Sequence, residues 1–315
     1  MPYTTDIMGR SAQLRQDMTL KTLFDITCSQ PERPGAHWLK GEEDGLYTFG
    51  DLRQQATNFA AYLKPLLGDN HGRFVAIQQE TCKEWFAIFW GLIMAGCNAL
   101  LLDANLSDEM TGHMLKEAGA IGVITQKKRL IDKGYVQVLT EDLFQAPKAP
   151  EGFAPDFADS VALCTSGTTA TSRIFVYNEK AVCEQVLNSE LLHNLNRRIV
   201  DDVPRRALAF LPFHHIFGFM VNLLWVHFIG YETVYLANRS PETILHTCRH
   251  FKVEFLVAVP LLANSLSVGL QKKVAKQPAA KRAMFKFAKS VSLGLQSVFP
   301  TWGMDFARNH LFKDV

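Results

Sequence analysis

A cluster of small hydroxyl residues follows an apolar run in the middle of the chain, in the stretch ALCTSGTTATSRIFVYNEKAV at 162–182. Residues 161–164 are typical of a buried strand, and Asn178 is a candidate N-cap of the helix that follows. Between them lie hydroxyl residues, one glycine and Arg173. Such a loop offers backbone N–H groups, O–H donors and a cation to a phosphate. On composition alone, an ordinary Ser/Thr/Gly surface loop is favoured over a phosphate-binding one.

Histidines and one cysteine form a weaker constellation at positions 246, 248 and 250. If this stretch is helical, only His246 and His250 share a face. No second ligand pair lies nearby in the sequence. A structural or surface role is therefore favoured over a zinc site, and we predict no bound metal here.

An alternation of strands and helices must position these residues. Apolar runs predict strands at 73–79, 98–102, 121–125, 135–139, 161–164, 206–211, 233–237 and 254–259. Helix starts are indicated by two capping boxes, Thr48 with Asp51 and Thr81 with Glu84, and by Ser107 and Ser240 as N-caps. Repeated βαβ units predict an α/β fold of stacked layers with mostly parallel sheets. A Pro-, Ala- and acid-rich stretch at 145–159 predicts an internal linker.

Composition bounds the class of protein. The chain has 315 residues, 48% of them hydrophobic, and a formal net charge of +2, too small to favour a nucleic-acid partner. None of its six cysteines forms a C-x-x-C pair, which indicates a reducing compartment. No signal peptide is recognisable, and polar residues interrupt the apolar stretches 85–102 and 208–236. A cytoplasmic protein is expected.

One basic segment departs from this pattern. Residues 255–304 contain no acid, and seven lysines and arginines lie within 272–289. Apolar residues recur there at helical spacing. The segment is either a solvated helix with one face on the core or an amphipathic helix that contacts a membrane surface or an acidic partner; the first is favoured.

The hydroxyl loop resembles a family motif. Residues 165–169, T-S-G-T-T, are similar to the phosphate loop of the AMP-forming, adenylate-forming superfamily, which includes acyl-CoA synthetases and nonribosomal adenylation domains. YTFGDL at 47–52 and the run 73–124, with Ala95-Gly96, resemble the family's layout. The segment 211–218 is similar to its P-x-x-H-x-x-G motif and places His215 on the motif histidine. Ala258-Val259-Pro260 resembles a further landmark.

This resemblance implies activation of a small carboxylic acid by ATP, with Mg²⁺, to acyl-AMP, followed by acyl transfer to a thiol such as coenzyme A or an acyl carrier protein. His215 and Arg173 would be the catalytic residues. The nucleotide-binding residues would be Thr165, Ser166, Gly167, Thr168, Thr169 and Arg173. Apolar neighbours of His215 favour a fatty or other apolar acid; they are Ile216, Phe217, Phe219, Met220 and Leu223.

The chain also departs from the family pattern. Ala170, Ser172, Arg173 and Ile174 stand where the family has Gly, Pro, Lys and Gly. Arginine keeps the cation but replaces a compact ammonium with a planar fork. The resemblance further implies that 1–315 is a partial N-terminal domain. The Y-G-x-T-E motif and the lysine-bearing C-terminal domain are absent, so the chain alone should be inactive. A completing polypeptide or an oligomer is expected, the alternative being a truncated or split non-catalytic nucleotide- or partner-binding module.

Overall fold

The computed structural model describes residues 5–41, 43–164, 173–195, 200–257, 260–299, 303, 306, 307 and 310, in two units, 1–257 and 258–315. The strands are β1 (Pro34–Lys40), β2 (Glu43–Thr48), β3 (Phe74–Gln78), β4 (Asn98–Leu101), β5 (Gly122–Thr125), β6 (Val136–Leu139), β7 (Ser160–Cys164), β8 (Ile174–Asn178), β9 (Arg206–Leu208), β10 (Glu232–Val234) and β11 (Phe255–Leu256).

The helices alternate with these strands. They are α1 (Ile7–Gln16), α2 (Leu20–Thr27), α3 (Phe49–Leu67), α4 (Trp85–Met94), α5 (Asp108–Glu117), α6 (Thr140–Phe144), α7 (Glu179–Leu195), a π-helix (Gly218–Trp225), α8 (Val226–Phe228), α9 (Pro241–His250), α10 (Pro260–Ala275) and α11 (Ala279–Val298).

A six-stranded sheet, in the order β6-β5-β3-β4-β7-β8, is parallel except for its edge strand β8. Side chains alternate between its faces: Val75 and Ile77 join the core with α3 and α4, whereas Ala76 and Leu100 pack with Met114 of α5. Because both faces are covered, the inner strands are continuous apolar runs in the sequence. This is the mixed α/β, mostly parallel layering that the sequence predicts.

A second sheet has five strands in the order β11-β9-β10-β1-β2. β9, β10, β11 and β1 run parallel to one another, and β2 closes an antiparallel hairpin with β1. The predicted strands at 206–211, 233–237 and 254–259 supply β9, β10 and β11, each shorter than predicted. The hairpin β1–β2 and the strand β8 were not predicted.

Most of the predicted caps are present. Thr48 and Asp51 form the complete capping box of α3, Ser107 caps α5, Asn178 accepts from Ala181 N–H at 2.9 Å, and Ser240 caps α9 ahead of Pro241. The second capping box was wrong. Glu84 itself is the N-cap position of α4 and makes no side-chain cap. The hydroxyl of Thr81 instead accepts from the N–H of Phe213, at 3.4 Å, so a tertiary contact takes the place of the cap.

The stretch 145–159 contains neither helix nor strand beyond a single bridge between Asp156 and Ala95. It runs from α6 to β7, so it connects parts of the same six-stranded sheet within the first unit. That it is an internal linker stays a prediction.

The second unit contains α10 and α11. In α11 the residues Ala288 and Ser292 are buried, while Met284 and Phe287 are 66% and 71% exposed. The apolar residues at helical spacing therefore lie only partly on a buried face. None of the described helices combines the length and the apolar character needed to cross a membrane.

Candidate active site

The hydroxyl loop connects two antiparallel neighbours of the six-stranded sheet. β7 ends at Cys164 and β8 begins at Ile174, and these two residues are paired in register. Thr165, Ser166, Gly167, Thr168 and Thr169 lie outside the described residues, so their predicted roles stay predictions. Arg173 is exposed and immediately precedes β8. Ile174 lies inside β8, so it is a strand residue rather than part of the loop.

The carboxyl ends of β3 and β4 form a second candidate position. The chain leaves β3 through α4 on one face of the sheet and leaves β4 through α5 on the other, while β5 returns to the far side of β3. Loops at such a switch of direction diverge and open a crevice, where ligands bind in open α/β sheets. Here the loops carry Thr81 and Asp103.

The histidine segment follows β9 of the five-stranded sheet. His215 N–H donates to Pro212 O at 3.2 Å, which closes a turn, and the π-helix begins at Gly218. A Cβ on Gly218 would stand 2.0 Å from the carbonyl oxygen of Pro212, so only glycine fits there. This close approach gives a physical reason for the final glycine of P-x-x-H-x-x-G.

The rings of His214 and His215 lie 4.2 Å apart, but their surroundings differ. His215 is exposed, whereas the side chain of His214 is 13% exposed and its Nε2 lies 3.7 Å from Asp103 Oδ2. That separation is too long for a hydrogen bond. His214 lines a cavity of about 250 Å³ together with residues from the ends of both sheets. They include Glu80, Thr81, Asp103, Asn105, Pro212, Asn238 and Arg239.

Burial dominates the electrostatics of this cavity. Desolvation, and then the neighbouring His215, lower the pKa of His214 to about 4, against the opposing charge of Asp103. His214 is therefore a neutral imidazole at pH 7. Burial raises the pKa of Asp103, but hydrogen bonds from Asn105 and the nearby histidines outweigh it, so the net pKa is lowered. Asp103 is accordingly a carboxylate.

The apolar neighbours of His215 divide into two groups. Ile216 and Phe217 are 44% and 46% exposed, whereas Phe219 and Leu223 are fully buried in the core. Only the first pair is free to contact a ligand without repacking; Met220 is half-buried.

The structure brings together some of the predicted residues and leaves others apart. His214 lines the cavity and its ring contacts that of His215. Arg173 lies beside the edge strand β8 and has no hydrogen bond or ion pair with either histidine among the described residues. Within that same part of the chain no cluster of histidine, cysteine and acidic groups could hold a metal ion. His246 and His250 stack at 5.9 Å, and His250 bonds Asp44 on β2 at 2.5 Å.

Asp103 and Thr81 were missed as site residues by sequence reasoning. Asp103 follows directly on an apolar strand, and carboxyl ends of parallel strands are where ligands bind, so that position was a usable signal. No comparable signal existed for Thr81, because its partner Phe213 lies 132 positions away.

A family model for "AMP-binding enzyme" matches residues 27–303. The chain belongs to this family. Among curated proteins, a component of the plipastatin synthase of Bacillus subtilis (strain 168) is 25% identical over 179 residues, which are 55% of this chain and 7% of that protein.

Two solved structures show a similar fold. The N-terminal subdomain of Klebsiella oxytoca NpsA has a TM-score of 0.64 at 17% identity and is matched over 76% of this chain and 60% of its own. The o-succinylbenzoate CoA synthetase MenE of Bacillus subtilis, in complex with its acyl-adenylate intermediate, has a TM-score of 0.65 at 20% identity, over 78% and 50% of the two chains. The chain thus spans only part of each relative.

Proposed function

We propose that this chain takes part in ATP-dependent activation of a carboxylic acid, giving acyl-AMP and pyrophosphate, with later transfer of the acyl group to a thiol. Membership of the AMP-binding family over residues 27–303 is the observation that carries the proposal. The position of the hydroxyl loop at the end of β7 supports it, because this edge of the sheet is where ligands bind.

In this proposal the phosphates of ATP lie against 165–169 and Arg173. Negative charge grows on them as pyrophosphate leaves, and N–H groups, hydroxyls and a guanidinium held in place beforehand stabilise it. Mg²⁺ arrives with the nucleotide, where it would neutralise phosphate charge. Arg173 is exposed and immediately precedes β8, which supports a role in binding an anion.

His215 orients the carboxylate of the acid. Its ring is exposed, at the start of a segment fixed by the Pro212 turn and by Gly218. The exposed Ile216 and Phe217 beside it favour an acid with an apolar body, a fatty acid being our choice. Coenzyme A or an acyl carrier protein is the proposed acceptor. All six cysteines are free, which fits the reducing cytoplasm.

Binding to the 315-residue chain tests the proposal. The midpoint of thermal unfolding is measured without ligand, with ATP and MgCl₂, and with ATP, MgCl₂ and one of three acids: decanoate, benzoate or leucine. We expect ATP to raise the midpoint and decanoate to add to the shift, because ligands of the folded state stabilise it. Equal shifts with all three acids would contradict the apolar preference. No shift with ATP at millimolar concentration would contradict nucleotide binding itself.

A further inference from the structure

Two loops of the six-stranded sheet hold the histidine segment of the five-stranded sheet. Thr81, in the loop after β3, accepts from the N–H of Phe213 at 3.4 Å. The ring of Phe213 packs edge-on against Trp85 at the start of α4, with 5.5 Å between ring centres. The main chain just before His214 is therefore fixed by the opposite sheet.

Asp103, in the loop after β4, faces the side chain of His214. One carboxylate oxygen, Oδ1, accepts from the backbone N–H and the side-chain amide of Asn105, at 2.9 and 3.2 Å. These bonds fix the carboxylate and leave Oδ2 directed at His214 Nε2, 3.7 Å away. Nε2 is buried and has no hydrogen-bond partner. A carboxylate at this distance favours the tautomer that carries its proton on Nε2.

His214 in turn contacts His215. With 4.2 Å between their ring centres, the two imidazoles are in van der Waals contact, so the rotamer of one restricts that of the other. Exposed side chains otherwise exchange rotamers freely. His215 is exposed, and the ring of His214 is the aromatic contact that restricts its side chain.

We propose that Asp103 is a positioning residue for His215: the carboxylate sets the ring of His214, and that ring sets the direction of the His215 imidazole. The role of His215 towards the acid rests on the proposed function. The contacts from Asp103 to His214 and from His214 to His215 are independent of it. A residue in the loop after β4 thereby orients the side chain of His215, which follows β9 of the five-stranded sheet.

Imidazole ¹⁵N and ¹H NMR of the 315-residue chain tests the chain of contacts. We expect Asp103→Asn to reduce the Nε2–H tautomer of His214 and to weaken the nuclear Overhauser effect between the two rings at least twofold. Glu109→Gln, which removes a carboxylate from the exposed first turn of α5, is the matched control and should change neither signal. Unchanged tautomer and ring contacts in a folded Asp103→Asn chain would overturn the proposal.

A second variant covers failure of the first to fold. His214→Gln removes the middle ring, and we expect the His215 side chain to average over several rotamers, seen in its three-bond couplings. A His215 that keeps its single rotamer would overturn the proposal.

The functional arm uses a longer form that carries out ATP–pyrophosphate exchange. There Asp103→Asn should raise KM for the acid about tenfold and leave KM for ATP unchanged, because only the acid's partner is misplaced. An equal rise in KM for the acid and in KM for ATP would overturn the proposal that Asp103 positions His215. If no form catalyses exchange with any acid, the proposed function fails, while the NMR result stands by itself.

Discussion

At the scale of single residues, Gly218 shows how close backbone contact dictates a residue type. A methyl group there would meet the Pro212 carbonyl at 2.0 Å, and backbone cannot move aside as a flexible side chain can. We expect Gly218→Ala to destabilise the first unit by about 2 kcal/mol or more, and to change the NMR signals of His215. Gly112→Ala, whose nearest neighbour would be 3.8 Å away, is the control for urea unfolding.

His227 should make stability depend on pH. Burial lowers its pKa to about 4; the Leu223 carbonyl, 2.7 Å from Nδ1, opposes this shift only in part. Between about pH 6.5 and 4 the unfolded chain binds a proton that the folded chain does not, so the free energy of unfolding falls as the pH falls, by up to about 3 kcal/mol for this group.

Urea unfolding at pH 7 and pH 4.5 measures the difference. His227→Gln should be less stable than the unmodified chain at pH 7, yet lose less stability on acidification. The exposed His113 on α5 supplies the control, His113→Gln, which should retain the full acid dependence. An equal loss in the unmodified chain and in His227→Gln would contradict this assignment.

Arg173 can be tested against a matched cation. If it contacts phosphates, Arg173→Ala should weaken ATP binding by about tenfold or more, the loss of a charge held in place for an anion. Lys148→Ala removes an equal charge from an exposed position after α6 and should leave the affinity unchanged. Calorimetric titration with ATP and Mg²⁺ provides the measurement. Equal affinities in both variants would remove Arg173 from the site.

At the scale of elements, α3 and α4 are in close contact at Gly91. A Cβ there would lie 2.7 Å from the Cβ of Phe59 and 3.1 Å from the Ala56 carbonyl oxygen. We expect Gly91→Ala to destabilise the fold by about 1–3 kcal/mol. Gly112→Ala in the open part of α5 should instead stabilise by up to about 1 kcal/mol through helix propensity. Urea unfolding measures the free energy of unfolding of both variants. A Gly91→Ala chain more stable than the unmodified chain would contradict the close packing.

Elements were predictable where local chemistry decides them. Capping at Thr48, Ser107 and Ser240 depends on neighbours within three residues, and the inner strands of the six-stranded sheet are buried on both faces. The hairpin β1–β2 escaped prediction because no regular apolar alternation marks its strands, although Gly41 follows β1 directly. The cap predicted at Thr81 is absent because its hydroxyl accepts a hydrogen bond from the N–H of Phe213, in the segment after β9 of the other sheet.

Only those residues of the candidate site that belong to local sequence patterns could be predicted. His215 and Arg173 are predicted through motifs, which record residue type and spacing, and their roles stay predictions. Asp103 and His214 face each other only because two sheets present their carboxyl ends to one cavity. Such pairing across sheets has no signature in the local sequence, so it had to come from the structure.

At the scale of the whole molecule, the proposed catalysis depends on more than the hydroxyl loop. The 315 residues contain no Y-G-x-T-E, and positioning ATP in line with an acid requires contacts at both ends of the nucleotide. We expect no ATP–pyrophosphate exchange above background by this chain alone, although ATP still binds weakly. Exchange by a form carrying the remaining family motifs is the positive control. Robust exchange by the 315-residue chain would contradict this prediction.

The pairing of Cys164 with Ile174 has a consequence for how the hydroxyl loop can vary. Since the two strands fix both ends of the loop, the length of the connection enters the folding free energy through the entropy of closing it. That entropy grows only logarithmically, by about 0.6 kcal/mol for each doubling of length. The closure entropy alone therefore makes a longer connection between Cys164 and Ile174 inexpensive for folding.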